Sequence, residues 1–97
     1  MNEKRTIDVA LGVVVATSGI ASLIKADTTF GDKMGYCLGR HRYGDWGVVD
    51  AEDAKANDLA VENGGRLLSA YDIDDTRIWI ITEADRSVTT LMLPEEY

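Results

Sequence analysis

The sequence predicts an α+β fold: a single domain in which an N-terminal strand and three short helices pack on a three- to four-stranded, mainly antiparallel sheet. Three observations carry that expectation. Apolar residues recur at helical spacing between Thr17 and Asn63, the period changes to two from Arg66 onward, and the loops Asp74-Asp75-Thr76 and Ala84-Asp85-Arg86 divide the second half into three runs. The 97 residues are 45% hydrophobic and 28% charged, an ordinary globular balance. A chain of this length buries about 60–65% of its unfolded surface, enough for one core over residues 1–97 and too little for two.

Val13 to Ala16 is short and β-branched and reads as the first strand. Thr17 stands where an N-cap belongs, ahead of Ile20, Leu23 and Ile24 at helical spacing. Thr29 with Asp32 reads as a capping box for a second helix, whose apolar face is Phe30, Met34, Cys37, Leu38 and His41 and whose end lies near Tyr43-Gly44. Asp50 with Asp53 caps a third helix, Asn63-Gly64-Gly65 stops it, and its predicted buried face is Ala56, Leu59 and Ala60. The strands then follow as Arg66–Ile73, Arg77–Glu83 and Ser87–Leu93, a meander closed by Pro94. Ile78, Trp79, Ile80 and Ile81 are apolar without alternation, which puts that strand inside the sheet.

Lys4 and Arg5 ahead of the apolar Val9 to Ala16 imitate a secretory signal, but Asp8 interrupts the transition and no A-x-A site follows. A membrane span needs about 20 apolar residues, and Thr17, Ser18, Lys25 and Asp27 cut this run short. Residues 1–12 are therefore expected to be a flexible or partly paired structural segment, and the protein to be cytoplasmic without membrane association. One Cys excludes an intrachain disulfide and a multi-cysteine metal site, and Cys37, on an apolar helix face, reads as a small buried hydrophobe.

The net charge is −7, a sign that opposes phosphate and so disfavours nucleic acid as a partner. Acid collects in two places, six acidic against one basic side chain over 44–65 and seven against two over 72–97. Asp45, with an acidic face of Asp50, Glu52, Asp53, Asp58 and Glu62, reads either as a phosphate-like stripe or as a solvated surface.

Two clusters hold the versatile side chains. In Arg40-His41-Arg42-Tyr43-Gly44-Asp45-Trp46-Gly47 the arginines could grip an anion while His41 and Asp45 share a proton beside Trp46. The structural alternative makes His41 a core residue, because it continues the face from Phe30 to Leu38. In Thr82-Glu83-Ala84-Asp85-Arg86-Ser87 two carboxylates and a guanidinium meet at a hairpin end, as a proton-trading or metal-binding pair or simply as turn residues. Asp45 or Glu83 could also tie the two clusters together, through Arg86 or His41 respectively.

Asp72 to Glu83 matches a calcium loop only superficially, since its sixth place is Arg77 rather than glycine. Gly64-Gly65 is no phosphate loop without a following Lys-Ser/Thr. Gly31, Gly35 and Gly39 recur every four residues beside the apolar face of the second helix, either as a ridge for close approach, a homodimer included, or as an irregular helix.

From Val13-Val14-Val15-Ala16-Thr17 to its end, the chain resembles a family of small proteins of phages, plasmids and integrative elements. These proteins carry the labels "plasmid-related protein" or, loosely, "type I restriction endonuclease subunit M". The resemblance rests on Arg40-His41, Gly44-Asp45-Trp46-Gly47, Asp53, Asn57, Arg66 to Tyr71, Ile78 to Ser87 and Leu93-Pro94-Glu95-Glu96-Tyr97. This chain departs from the pattern at Gly31, Gly35 and Gly39, and at Ser18 where Pro is usual. A chain this short cannot hold a methyltransferase core, so the resemblance implies genomic company rather than an enzyme.

The function so indicated is a small acidic, non-enzymatic protein of mobile-element origin. It is expected to bind a protein, such as a host defence nuclease or its complex, as an anti-CRISPR or anti-restriction inhibitor, with no cofactor and no metal. The candidate partner contacts are Arg40, His41, Asp45, Trp46, Glu83, Asp85 and Arg86. The rival is a small enzyme or metal-dependent hydrolase using His41, Asp45, Glu83 and Asp85. A third reading is a nucleic-acid binder through Lys33, Arg40 and Arg42.

Overall fold

A computed structural model describes residues 6–97. The Lys4-Arg5 start of the signal-like segment lies outside the described residues. In chain order come β1 (Val13–Ala16), α1 (Ser18–Ala26), α2 (Thr28–Arg42), α3 (Ala51–Asn63), β2 (Leu67–Ile73), β3 (Thr76–Thr82) and β4 (Val88–Met92), followed by a 3-10 turn at Pro94–Glu96. The four strands form one mixed sheet in the order β1-β4-β3-β2, in which only β1 runs parallel to its neighbour. The α+β domain expected from the change of period is the fold that forms, with β3 inside the sheet.

The hairpin between β2 and β3 turns on Asp74 and Asp75, both with positive φ, the pair of left-handed residues that a two-residue turn requires. Its register pairs Tyr71 with Ile78 and Ser69 with Ile80. Because side chains alternate across a strand, Tyr71, Ile73, Ile78, Ile80 and Leu91 all point to one face. There they form the main core with Ile20 of α1 and Phe30, Met34 and Cys37 of α2. Trp79 and Leu68 point the other way, and Tyr97 meets Trp79 edge-on with ring centroids 5.7 Å apart. A second cluster of Val9, Trp46 and Leu67 packs with Ala54, Ala60 and Val61 of α3.

The helix starts differ in detail from expectation. Asp27, rather than a Thr29-Asp32 box, caps α2 by accepting from the Thr29 backbone N–H at 3.0 Å and the Thr29 hydroxyl at 2.7 Å. Thr17 occupies the N-cap position of α1 but does not cap it. Its hydroxyl donates to Glu96, whose other carboxylate oxygen accepts from Gly19 N–H at 2.9 Å, so a residue 77 positions away serves the helix N-terminus. Asp50 does cap α3, accepting from Asp53 N–H at 2.8 Å. The buried side of α3 is Ala54, Asn57, Ala60 and Val61, whereas the expected Ala56 and Leu59 are exposed.

Asn57 shows why the face is shifted. Its amide donates to Leu68 C=O at 2.9 Å and accepts from Leu68 N–H at 3.2 Å, supplying the outer edge of β2 with the bonds another strand would make. Two residues on, Ala70 N–H donates to Trp46 C=O and Ala70 C=O accepts from Val48 N–H. Gly47 sits between those two groups with φ +76°, and a Cβ there would lie 1.9 Å from Ala70 O, so only glycine fits. The β2 edge is thus closed by α3 and by the 46–48 loop. Within residues 6–12, Val9 N–H donates to Arg42 C=O and Leu11 C=O accepts from Thr89 Oγ1, and Val9 is buried.

Candidate functional site

His41 lies at the centre of the polar residues. It is 0% exposed, held between Ser69 Oγ at 2.6 Å from Nδ1 and Thr82 Oγ1 at 2.8 Å from Nε2. Thr82 Oγ1 is 2.7 Å from Thr89 Oγ1, which donates to Leu11 C=O at 2.7 Å. The direction of every bond follows. A carbonyl only accepts, so the single hydroxyl proton of Thr89 is spent on Leu11; Thr82 must donate to Thr89, and His41 Nε2–H to Thr82. Nδ1 is then the acceptor for Ser69. This chain joins β2, α2, β3, β4 and the N-terminal segment, and fixes His41 as the neutral Nε2–H tautomer. Burial, and secondarily the positive charge of Arg86, lower its pKa from 6.5 to about 4. Trp46 packs edge-on against the ring at 5.7 Å and donates from Nε1 to Asp58 at 3.0 Å.

The pair Ser69-His41 has the composition of a nucleophile and its base, but no substrate reaches side chains that are fully buried. The other members of the hydrolase reading are separately engaged. Asp45 takes a two-pronged bond from Arg40 at 2.8 and 3.2 Å, and this guanidinium holds its carboxyl below the ordinary value. Glu83 receives Arg66 at 3.1 and 3.3 Å. Asp85 accepts from the hydroxyl and backbone N–H of Ser87, which lower its pKa. Among the described residues no three His, Cys, Asp or Glu side chains are grouped to hold a metal ion.

The two sequence clusters do meet, through His41 and Thr82, but by neither of the pairings considered. Arg86 donates to four backbone carbonyls, those of Ala60, Gly65, Glu83 and Ala84, at 2.6 to 3.2 Å. It binds the C-terminal end of α3 to the β3–β4 turn, where acceptors left over by the helix need a donor. His41, Trp46 and Arg86 are thus parts of the framework, and the first two lie where no partner touches them.

The basic side chains of the nucleic-acid reading are each paired with a carboxylate: Lys33 with Asp74 at 2.7 Å, Arg40 with Asp45, and Arg42 with Asp8 at 2.7 Å. Asp50, Glu52, Asp53, Asp58 and Glu62 are all exposed; Asp50 caps α3 and Asp58 accepts from Trp46. Cys37 is buried, and burial pushes its thiol pKa up.

The glycine stripe of α2 divides. Gly31 passes under α1, where an added Cβ would come within 3.2 Å of Ile24 Cγ2; Gly35 and Gly39 face open space. These two floor a shallow groove of about 540 Å³ walled by Tyr36, Arg40, Tyr43 and Asp45. Tyr36 is 73% and Tyr43 58% exposed, although nothing in the sequence except the bare glycines marked this helix side as a surface feature.

No family model matches this chain, and no curated protein or solved structure does either. No helix among the described residues is long and apolar enough to cross a membrane.

Proposed function

We propose that this chain acts by binding another protein, with the α2 groove as its principal contact. The observation that supports this reading is the contrast between spent polar groups and unspent apolar ones. His41, Asp45, Glu83, Asp85 and Arg86 are each engaged by partners within the fold, while Tyr36 and Tyr43, the latter with the Arg42 guanidinium 5.1 Å from its ring, stand largely in solvent on either side of a glycine floor. Tyrosines of this kind give large rigid contact area at small entropic cost, and a floor without side chains admits a partner's backbone or aromatic ring. The ion-paired Arg40 and Asp45 form a polar wall beside them.

The partner class follows from the sequence resemblance to phage, plasmid and integrative-element proteins: a component of a bacterial defence system, CRISPR or restriction, whose activity the binding would block. Affinity capture from a bacterial host carrying such systems, with mass spectrometry, tests this. Wild type should retain one defence component stoichiometrically and Tyr36→Ala/Tyr43→Ala should lose it. Capture that is unchanged in the double variant would remove the groove, and the absence of any retained protein would remove the reading.

A further inference from the structure

The two edges of the sheet are treated in opposite ways. The β2 edge is closed by the Asn57 amide and by the 46–48 loop. At the other edge, β1 is exposed along its whole length, with Val13 at 66% and Val14 and Val15 at 41%. The bonds Val13 N–H to Ser87 C=O and Thr17 N–H to Leu91 C=O set the phase of the parallel ladder. In that phase Val13 and Val15 face β4, and the backbone N–H and C=O of Val14 and Ala16 point outward. Soluble proteins guard such edges with lysine, proline, a bulge or a cover. This edge carries none of them: it is Val-Val-Val-Ala, and no charged residue stands between Asp8 and Lys25.

We propose that β1 accepts an extended segment of a partner protein as a fifth strand, and that this segment is apolar at alternate positions and flanked by lysine or arginine. The inference rests on the protein-binding reading but on a different surface from the α2 groove. Charge decides between this occupant and a second copy of the chain. Exposed carboxylates bracket the strand: Asp85 stands two residues before Ser87, which bonds Val13, and Glu95 adjoins Glu96, which bonds Thr17. A second β1 running antiparallel would bring the same carboxylates end to end, each on a chain of net charge −7, whereas basic flanks meet them with opposite sign. Backbone bonds at Val14 and Ala16 would supply affinity, and the valines on either face alternate-residue specificity.

The test uses the full chain and a synthetic peptide of alternating valine and threonine with a lysine pair at each end. In amide NMR titrations the peptide should shift Val13 to Ala16, and salt should weaken it. Val14→Pro removes one outward N–H and no ladder bond; it should weaken binding by about tenfold, the size of one backbone hydrogen bond. Two peptides N-methylated on alternate residues leave the protein untouched, and one of them should lose binding while the other keeps it. Shifts that spare 13–16, equal binding of both methylated peptides, or equal binding of a glutamate-flanked peptide would overturn the proposal. So would a wild-type dimer that Val14→Pro dissociates, which would put a second copy on the edge. A host partner held equally by wild type and Val14→Pro would overturn strand addition and leave the protein-binding reading in place. Peptide binding at β1 with no host partner would do the reverse.

Discussion

Acidification below pH 6.5 should destabilise this protein through His41. The side chain has an ordinary pKa of 6.5 and is held at about 4 in the fold, so between those values the unfolded chain binds more protons. A base depressed in this way contributes its full stability above 6.5 and loses it as the pH falls through the window. Integrated from pH 7, the loss is about 2 kcal/mol at pH 5 and about 3 kcal/mol at pH 4, against a total of about 5–15 kcal/mol for a small domain. Asp8, Asp27, Asp45, Asp72, Asp85 and Glu96 are held below ordinary values of 3.8 or 4.5. Their contributions have the same sign but are lost mainly below pH 4. Urea denaturation followed by tryptophan fluorescence at pH 7, 6 and 5 reads the effect. The control is His41→Gln, whose amide can accept from Ser69 and donate to Thr82 but cannot take a proton in this range. Wild type should lose about 2 kcal/mol between pH 7 and 5 while the variant stays flat. Equal slopes in the two proteins would refute the assignment of His41 as a buried neutral base.

Three further outcomes follow from the packing. Gly47→Ala should cost more than about 3 kcal/mol, since its Cβ meets Ala70 O at a positive φ; Gly35→Ala, with open space and ordinary helical backbone, should instead gain up to about 1 kcal/mol, both read as shifts in thermal midpoint. Arg86→Lys should lose about 2–3 kcal/mol by the same measurement, because a compact ammonium cannot span carbonyls on α3 and the β3–β4 turn as a guanidinium does. Asn57→Ala should lower stability by about 1–3 kcal/mol by unpairing Leu68. It should also promote concentration-dependent association, visible by light scattering, by uncovering the β2 edge.

The strands were legible because period two is a strong signal once tight turns bound it, and Ile78 to Ile81 marked the inner strand by departing from it, apolar without alternation. The phase of that period also carried the polar core. Ser69 falls between Leu67 and Tyr71, Thr82 follows Ile78 and Ile80, and Thr89 precedes Leu91, all in the inward register. Three hydroxyls on apolar-phase positions need a partner, and a lone histidine on an apolar helix face is the one available. What stayed hidden was long-range. Glu96 capping α1 and Asn57 sealing the β2 edge depend on which elements come together, and no local pattern encodes that. The face of α3 was misplaced because its anchor is a polar residue, Asn57, while the apolar Leu59 points to solvent at 51% exposure. The α2 groove was only partly legible: Gly35 and Gly39 marked a bare ridge and Tyr36 falls off the apolar face of the helix, but that Tyr36 and Tyr43 stand as its two walls depends on side-chain placement at the helix end.

We propose that the versatile polar side chains maintain the fold while the surface does the work by binding protein. Hydrogen exchange of the chain alone and in complex with its captured partner, for wild type and His41→Gln at pH 7.5, tests this most directly. New protection should be confined to residues Tyr36–Tyr43, from α2 to its C-cap, and to β1, and should be the same in both proteins. A folded His41→Gln that still binds but loses its cellular effect, or protection that spares both surfaces, would contradict it.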